Sequence, residues 1–267
     1  MSLSLGNTTI GSLYLGSTKV GEAYLGNTKV YASAPPALAT RSMRFDFKYD
    51  HFNPITGLTD LSESGLIWTH VADDVYDFHY DNADWGVRNI AGSTGGLFNV
   101  YGVGSGSSRV YPMAQHKLDV LDMDLTGVTT VSYLFNSARQ VQNIFSIRNT
   151  SSVTDFSFFL NHGRQIAITS IPLFDTSSAT DMTSMFKACS SLTSIPLFNT
   201  GNVTHVREMF SQCTHVESGA LALYTQMSTQ TTPPASYTDC FKNCGAGTTT
   251  GAAELSQIPS SWGGTMA

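Results

Sequence analysis

Charge is what this chain has least of. Lys, Arg, Asp and Glu make up 13% of its 267 residues, and the 14 basic ones are scattered under a net charge of −6. A nucleic-acid interface needs a basic stripe, so nucleic acid is excluded as the expected partner. No apolar run approaches the length of a membrane span. The opening MSLSLGNTTIGS has neither a basic n-region nor a continuous apolar stretch, and does not read as a secretory signal.

The residues that carry chemistry are sparse too. Cys189, Cys213, Cys240 and Cys244 follow no zinc spacing, and their recurrence points to small buried ladder residues. Glutamates are few, so a glycosidase pair would have to come from Asp73, Asp74, Asp77, Asp81 and Asp84, whose spacing matches no calcium loop. Seven histidines are dispersed, and no serine sits in a nucleophile elbow. The Gly-rich GVGSGSS (102–108) lacks the lysine and helix of a phosphate loop. The expectation is a protein without catalytic residues, metal or cofactor.

What the chain does have is repetition, at two periods. LGNTTIGSLY (5–14), LGSTKVGEAY (15–24) and LGNTKVY (25–31) repeat every ten residues, with Leu5, Leu15 and Leu25 in register. Glycine supplies turn conformations, and Val, Ile, Thr and Tyr favour strands, so the spacing predicts short strands in a meander with turns near Gly6-Asn7, Gly16-Ser17 and Gly26-Asn27. Such a ribbon buries little apolar area and needs something to pack on. ASAPPALAT (32–40) follows as an extended linker.

The second period is 24. LFDTSSATDMTSMFKACSSLTSIP (173–196) maps onto LFNTGNVTHVREMFSQCTHVESGA (197–220), Met185-Phe186 onto Met209-Phe210 and Cys189 onto Cys213. DLTGVTTVSYLFNSARQV (124–141) and NTSSVTDFSFFLNHGRQI (149–166) fit the same template, and YTDCFKNCG (237–245) repeats its core after an insertion. A period near 24 lies in the leucine-rich-repeat range, and no unit could bury its apolar residues alone. The expected fold is a leucine-rich-repeat solenoid of short strands plus helical turns, an α/β class, with a small N-terminal all-β meander. Its expected parts are a β-repeat attachment segment (1–33), a linker (34–40), an aromatic β-rich N-terminal cap (41–121), the repeats (122–245) and a C-terminal cap (246–267).

Two candidate binding surfaces follow. SIPLF occurs at 170–174 and 194–198. With Ile and Leu inward on a strand, Ser170, Pro172, Phe174, Ser194, Pro196 and Phe198 would face the open concave side, the phenylalanines one strand spacing apart. The alternative folds each phenylalanine into the core. In the aromatic middle, Trp68, Tyr76, Tyr80 and Trp85 could form a platform for sugar rings or a hydrophobic cap sealing the array.

The motif xxVTxMxxMFxxCxxLxxIPLFxT, over about residues 122–245, resembles the BspA-like leucine-rich repeats of bacterial surface proteins. The opening, with its YLGxTKV units, resembles N-terminal segments of phage tail and fibre proteins. The first two repeats depart from the pattern, lacking the cysteine and replacing Met-Phe with Leu134-Phe135 and Phe159-Leu160. The resemblance implies non-enzymatic recognition of a host cell-surface protein or glycan, on a phage tail or a bacterial surface. It also implies contacts to other virion proteins through residues 1–33, with the oligomeric state open. The rivals are a bacterial adhesin and a polysaccharide-degrading enzyme using Asp77 or Asp81.

Overall fold

A computed structural model describes residues 37–57, 66–85, 88–90, 93–95, 116–136, 138, 140–161 and 167–266, together with the short strands that precede them. The GVGSGSS segment, His162 and residues 33–36 of the linker lie outside the described residues. The chain divides into two compact units, Met1–Ala37 and Leu38–Ala267.

In the first unit the ten-residue period becomes three hairpins: β1 (Ser4–Leu5) with β2 (Thr8–Thr9), β3 (Leu13–Leu15) with β4 (Thr18–Val20), and β5 (Glu22–Leu25) with β6 (Thr28–Ala32). Leu5 pairs with Thr8, Leu15 with Thr18 and Leu25 with Thr28, so each connection spans two residues, the length that suits a tight hairpin. Each hairpin is its own two-stranded sheet, which corrects the expectation of a meander.

The second unit starts with β7 (Ser42–Asp46), a short helix α1 (Pro54–Gly57), β8 (Leu66–Ala72) and β9 (Val75–Tyr80). A hairpin, β10 (Arg88–Ile90) with β11 (Ser93–Gly95), precedes β12 (Leu118–Asp124) and β13 (Val141–Ile144). Five of these strands form one open sheet in the order β13-β12-β7-β9-β8, parallel between β12 and β13 and antiparallel elsewhere. Alternation of apolar and polar residues in MRFDFKYD (43–50) and VYDFHY (75–80) sorts its faces. Met43, Phe45, Phe47, Tyr76, Phe78 and Tyr80 go into the core. Arg44 turns to the other face and grips Asp77 through two hydrogen bonds of 2.7 and 2.8 Å.

Beyond β13 the solenoid expectation is overturned. Among the described residues the repeats contain neither a β-strand ladder nor a helical turn, and the regular β-structure of this unit is the mixed five-stranded sheet and one hairpin. The 24-residue shift survives instead as turn-rich units joined by single-residue parallel bridges that run Thr130, Asp155, Asp181, His205, Ser236. In the third of these units the N–H groups of Met182, Ser184, Phe186 and Ala188 donate to the carbonyls of His205, Arg207, Met209 and Ser211, at 2.7–3.0 Å. Those of Met185, Lys187 and Cys189 donate three residues back within their own unit, at 3.1–3.2 Å.

This alternation explains why no helix forms: every second N–H is spent on the neighbouring unit rather than on the residue four back. It also demands left-handed backbone at residues that disfavour it. Tyr133, Phe158, Ser184, Glu208 and Asp239, one per unit, all have φ between 52° and 60°, and Ala188, Gln212 and Asn243 repeat the feature four residues on. Each costs about 1–2 kcal/mol, which the inter-unit bonds and the core must offset.

The core of the units is continuous with that of the sheet. Phe186 stacks on Phe210 (centroids 5.3 Å apart, planes at 20°), and Phe210 lies over Phe241 (6.3 Å, 7°). The insertion before the last unit is helix α2 (Ala220–Thr229), and the tail adds helix α3 (Thr249–Leu255) and a short 3-10 turn, Ser260–Trp262. Trp262 stacks on Tyr237 at 4.4 Å, and its carbonyl accepts from the N–H of Phe241, so the tail takes the place of one further unit.

Candidate recognition surface

In the SIPLF segments Ile171 and Ile195 point inward as expected, and the phenylalanines take the core alternative rather than the concave face. Phe174 and Phe198 are buried against each other, centroids 5.2 Å apart, while Leu173 and Leu197 stand 65% and 54% exposed. Ser170 is exposed, and Pro172, Ser194 and Pro196 are half-buried. The cause is local. In the second segment the N–H of Phe198 donates to the carbonyl of Pro196 at 3.0 Å, closing a three-residue turn that breaks strand alternation and rotates that ring inward. A concave aromatic platform at Phe174 and Phe198 is therefore not present.

The second aromatic candidate is also core. Trp68, Tyr76, Tyr80 and Trp85 are all buried. Trp68 packs edge-on against Phe78 at 5.0 Å, and Phe78 against Trp85 at 6.4 Å, with the Trp85 indole N–H donating to the Asn82 carbonyl. These rings fill one face of the sheet and offer no platform for a sugar.

The carboxylates and histidines of the sheet form contacts that join strands and loops. Ser42 Oγ lies 2.9 Å from His79 Nδ1, and His79 Nε2 lies 2.8 Å from Asp81 Oδ1. The order resembles a hydrolase relay, but Ser42 is 1% exposed in the middle strand and its hydroxyl also lies 3.2 Å from the Thr40 carbonyl. Asp77 is held by Arg44. Buried Asp124 accepts from Thr126, Arg148 and Asn149. Desolvation would push the Asp124 carboxyl up, but these donors together hold it below the usual carboxylate range. Among the described residues no group of His, Cys, Asp or Glu is arranged to hold a metal ion.

The four cysteines are free and buried. Burial pushes all four thiols up, Cys213 to about 12, so they stay protonated and unreactive at neutral pH.

What residue-by-residue reading missed is the exposed face of the units. Thr129, Thr154, Thr180 and Thr204 form a column, one per unit, all exposed. Both the N–H and the hydroxyl of Thr180 donate to the Thr154 carbonyl (2.8 and 3.1 Å), and both donors of Thr204 go to the Thr180 carbonyl (2.9 and 3.1 Å). Thr154 treats Thr129 the same way. The N–H groups of Asp181 and His205 add a third, longer contact (3.3 Å) to the Thr154 and Thr180 carbonyls, and the Thr204 hydroxyl also lies 2.8 Å from His205 Nδ1, so each hydroxyl is held on the neighbouring unit. Beside it runs the bridge column Thr130, Asp155, Asp181, His205 and Ser236, in which Asp155 and Asp181 cap the N–H groups of Ser157 and Thr183. Thr193 repeats the two-donor device on the Thr169 carbonyl. The signal was in the sequence as the Thr of each VT or AT pair (128–129, 153–154, 179–180, 203–204).

Residues 107–223 match the family described as Mycoplasma protein of unknown function, DUF285. That span is less than half of the chain. No curated protein and no solved structure matches.

Proposed function

We propose that the chain is a non-enzymatic recognition protein, similar in its repeats to BspA-like surface proteins, whose threonine-lined face meets a protein or glycan on a cell surface. The observation that supports this reading is the Thr129–Thr154–Thr180–Thr204 column, whose hydroxyls are already fixed by the units themselves. A surface with its rotamers fixed before contact loses little entropy on binding, which favours recognition over a merely solvated face.

The finer reading is a phage tail or fibre protein that reaches its host through this face and is attached to the particle by residues 1–33. The rival is a bacterial surface adhesin. Binding of the purified chain to intact bacteria and to their isolated surface glycans tests the shared part of the proposal. Saturable binding supports it, and no binding across the panel refutes it. Deleting residues 1–33 separates the two settings: in a phage protein the deletion abolishes incorporation into particles and leaves cell binding intact.

A further inference from the structure

His79 ties the entry of the second unit to the sheet through contacts whose protons can be counted. Its Nδ1 lies 2.9 Å from the Ser42 hydroxyl, and its Nε2 lies 2.8 Å from Asp81 Oδ1. The same hydroxyl lies 3.2 Å from the carbonyl of Thr40, in the segment that leads from the start of the unit at Leu38 into β7. An ionised carboxylate only accepts, so Nε2 holds a proton toward Asp81. A serine hydroxyl has one proton to give, and Ser42, at 1% exposure, cannot turn it to solvent. That proton goes either to Nδ1 of His79 or to the Thr40 carbonyl.

We propose that His79 is a proton-operated switch for the hydrogen bond between Ser42 and Thr40. When the ring is neutral, Nδ1 is an acceptor and takes the Ser42 proton, and the carbonyl of exposed Thr40 is left to water. When the ring is an imidazolium, both nitrogens donate, Nδ1–H to the Ser42 oxygen, and the hydroxyl turns to the Thr40 carbonyl. Histidine changes charge between about pH 5 and 8, so acid fastens residues 40–42 to the sheet and mild alkali releases Thr40. The charged neighbours are engaged elsewhere. On β9, Asp77 shares the face of His79 and is held by Arg44 of β7. Arg41 donates to the Asp81 carbonyl at 2.5 Å, which leaves the Asp81 carboxylate to His79. On β12, Asp124 stands opposite Ser42 and is held by Arg148. Strand β8 sets Ile67 opposite His79, and its own His70 has Nε2 2.9 Å from the Asp73 carbonyl.

Nitrogen and carbon NMR of the isotope-labelled full chain, across about pH 5 to 8, tests this. At the alkaline end His79 is expected as the Nε2–H tautomer, and at the acid end with both nitrogens protonated. The Thr40 carbonyl resonance should move with the same midpoint as the ring. In Ser42→Ala the ring should still titrate while the Thr40 carbonyl loses most of that movement, which separates a transferred hydrogen bond from the field of the charge alone. In His79→Gln the Thr40 resonance should not follow pH. A neutral ring in the Nδ1–H tautomer overturns the proposal. So does a Thr40 resonance that ignores the ring's titration in the wild type, or one that follows pH equally in Ser42→Ala or His79→Gln.

Discussion

Leu197 and Phe198 are neighbours in the chain and opposites in burial: Leu197 is 54% exposed and Phe198 is fully buried, with its ring stacked on Phe186 at 5.8 Å. The three-residue turn from Pro196 to Phe198 makes the difference. Phe198→Ala should therefore cost about 3–5 kcal/mol in a denaturant titration, from lost burial plus the cavity left behind. Leu197→Lys should stay within about 0.5 kcal/mol of wild type. Equal effects at the two positions would mean that the turn does not sort them.

Gly251 and Gly245 touch backbone to backbone. A Cβ on Gly251 would lie 2.0 Å from the Val216 carbonyl oxygen and 2.6 Å from the Gly245 Cα, with no flexible side chain to give way. Gly251→Ala would improve the local helix propensity of α3, yet it should destabilise the protein by about 1–3 kcal/mol or more, the usual cost of overpacking. Limited proteolysis should show the cut entering the C-terminal tail first.

The buried thiols predict an alkaline limit to stability. Folded Cys213 titrates at about 12 against an ordinary value of 9.0, and burial is the cause. The group is protonated in both states below pH 9, so its contribution is complete there. As pH rises from about 9 toward about 12 the unfolded chain ionises first, and that contribution is lost. Denaturant midpoints should fall over that window, and thiol reagents should label Cys189, Cys213, Cys240 and Cys244 only after unfolding.

Asp124 predicts an acid limit of opposite sign. Its folded carboxyl titrates below the ordinary 3.8, so its stabilisation is present above that value and is lost as pH falls through the folded one. Asp124→Asn removes the charge but keeps the shape, and should cost about 1–3 kcal/mol at neutral pH. The gap between variant and wild type should narrow below pH 3.8. A gap that is constant with pH would show that the carboxylate's charge does not contribute.

Periodicity carried well from sequence to structure, and conformation did not. The spacing that matched Thr180 to Thr204 reappears as a hydrogen bond between those residues, and Met185, Phe186, Cys189 and their counterparts are buried. The backbone inside each unit was not legible. Ser184 and Glu208 adopt left-handed conformations with no glycine to announce them, because neighbouring units supply the bonds that hold them there. Such bonds are properties of the stack, and a single repeat read alone suggests a helical turn. In the second SIPLF segment the concave-face reading failed for a related reason: the three-residue turn from Pro196 to Phe198 inverts the parity on which a strand reading rests. The aromatic middle of the chain divided as alternation predicts, with Tyr76, Phe78 and Tyr80 inward and Asp77 and His79 outward, which is why Trp68 and its neighbours are core rather than platform.

The most direct test of recognition through the threonine face compares binding to intact bacterial cells before and after that face is disturbed. Thr180→Lys combined with Thr204→Lys places two long cations in the column while leaving Met182, Val206 and the core untouched. The account predicts a folded protein with an unchanged far-ultraviolet circular dichroism spectrum, a melting temperature lowered by the loss of two inter-unit hydroxyl hydrogen bonds, and cell binding reduced at least about tenfold, equivalent to roughly 1.4 kcal/mol. Undiminished binding by the folded double variant would contradict it and move the recognition surface to another part of the chain.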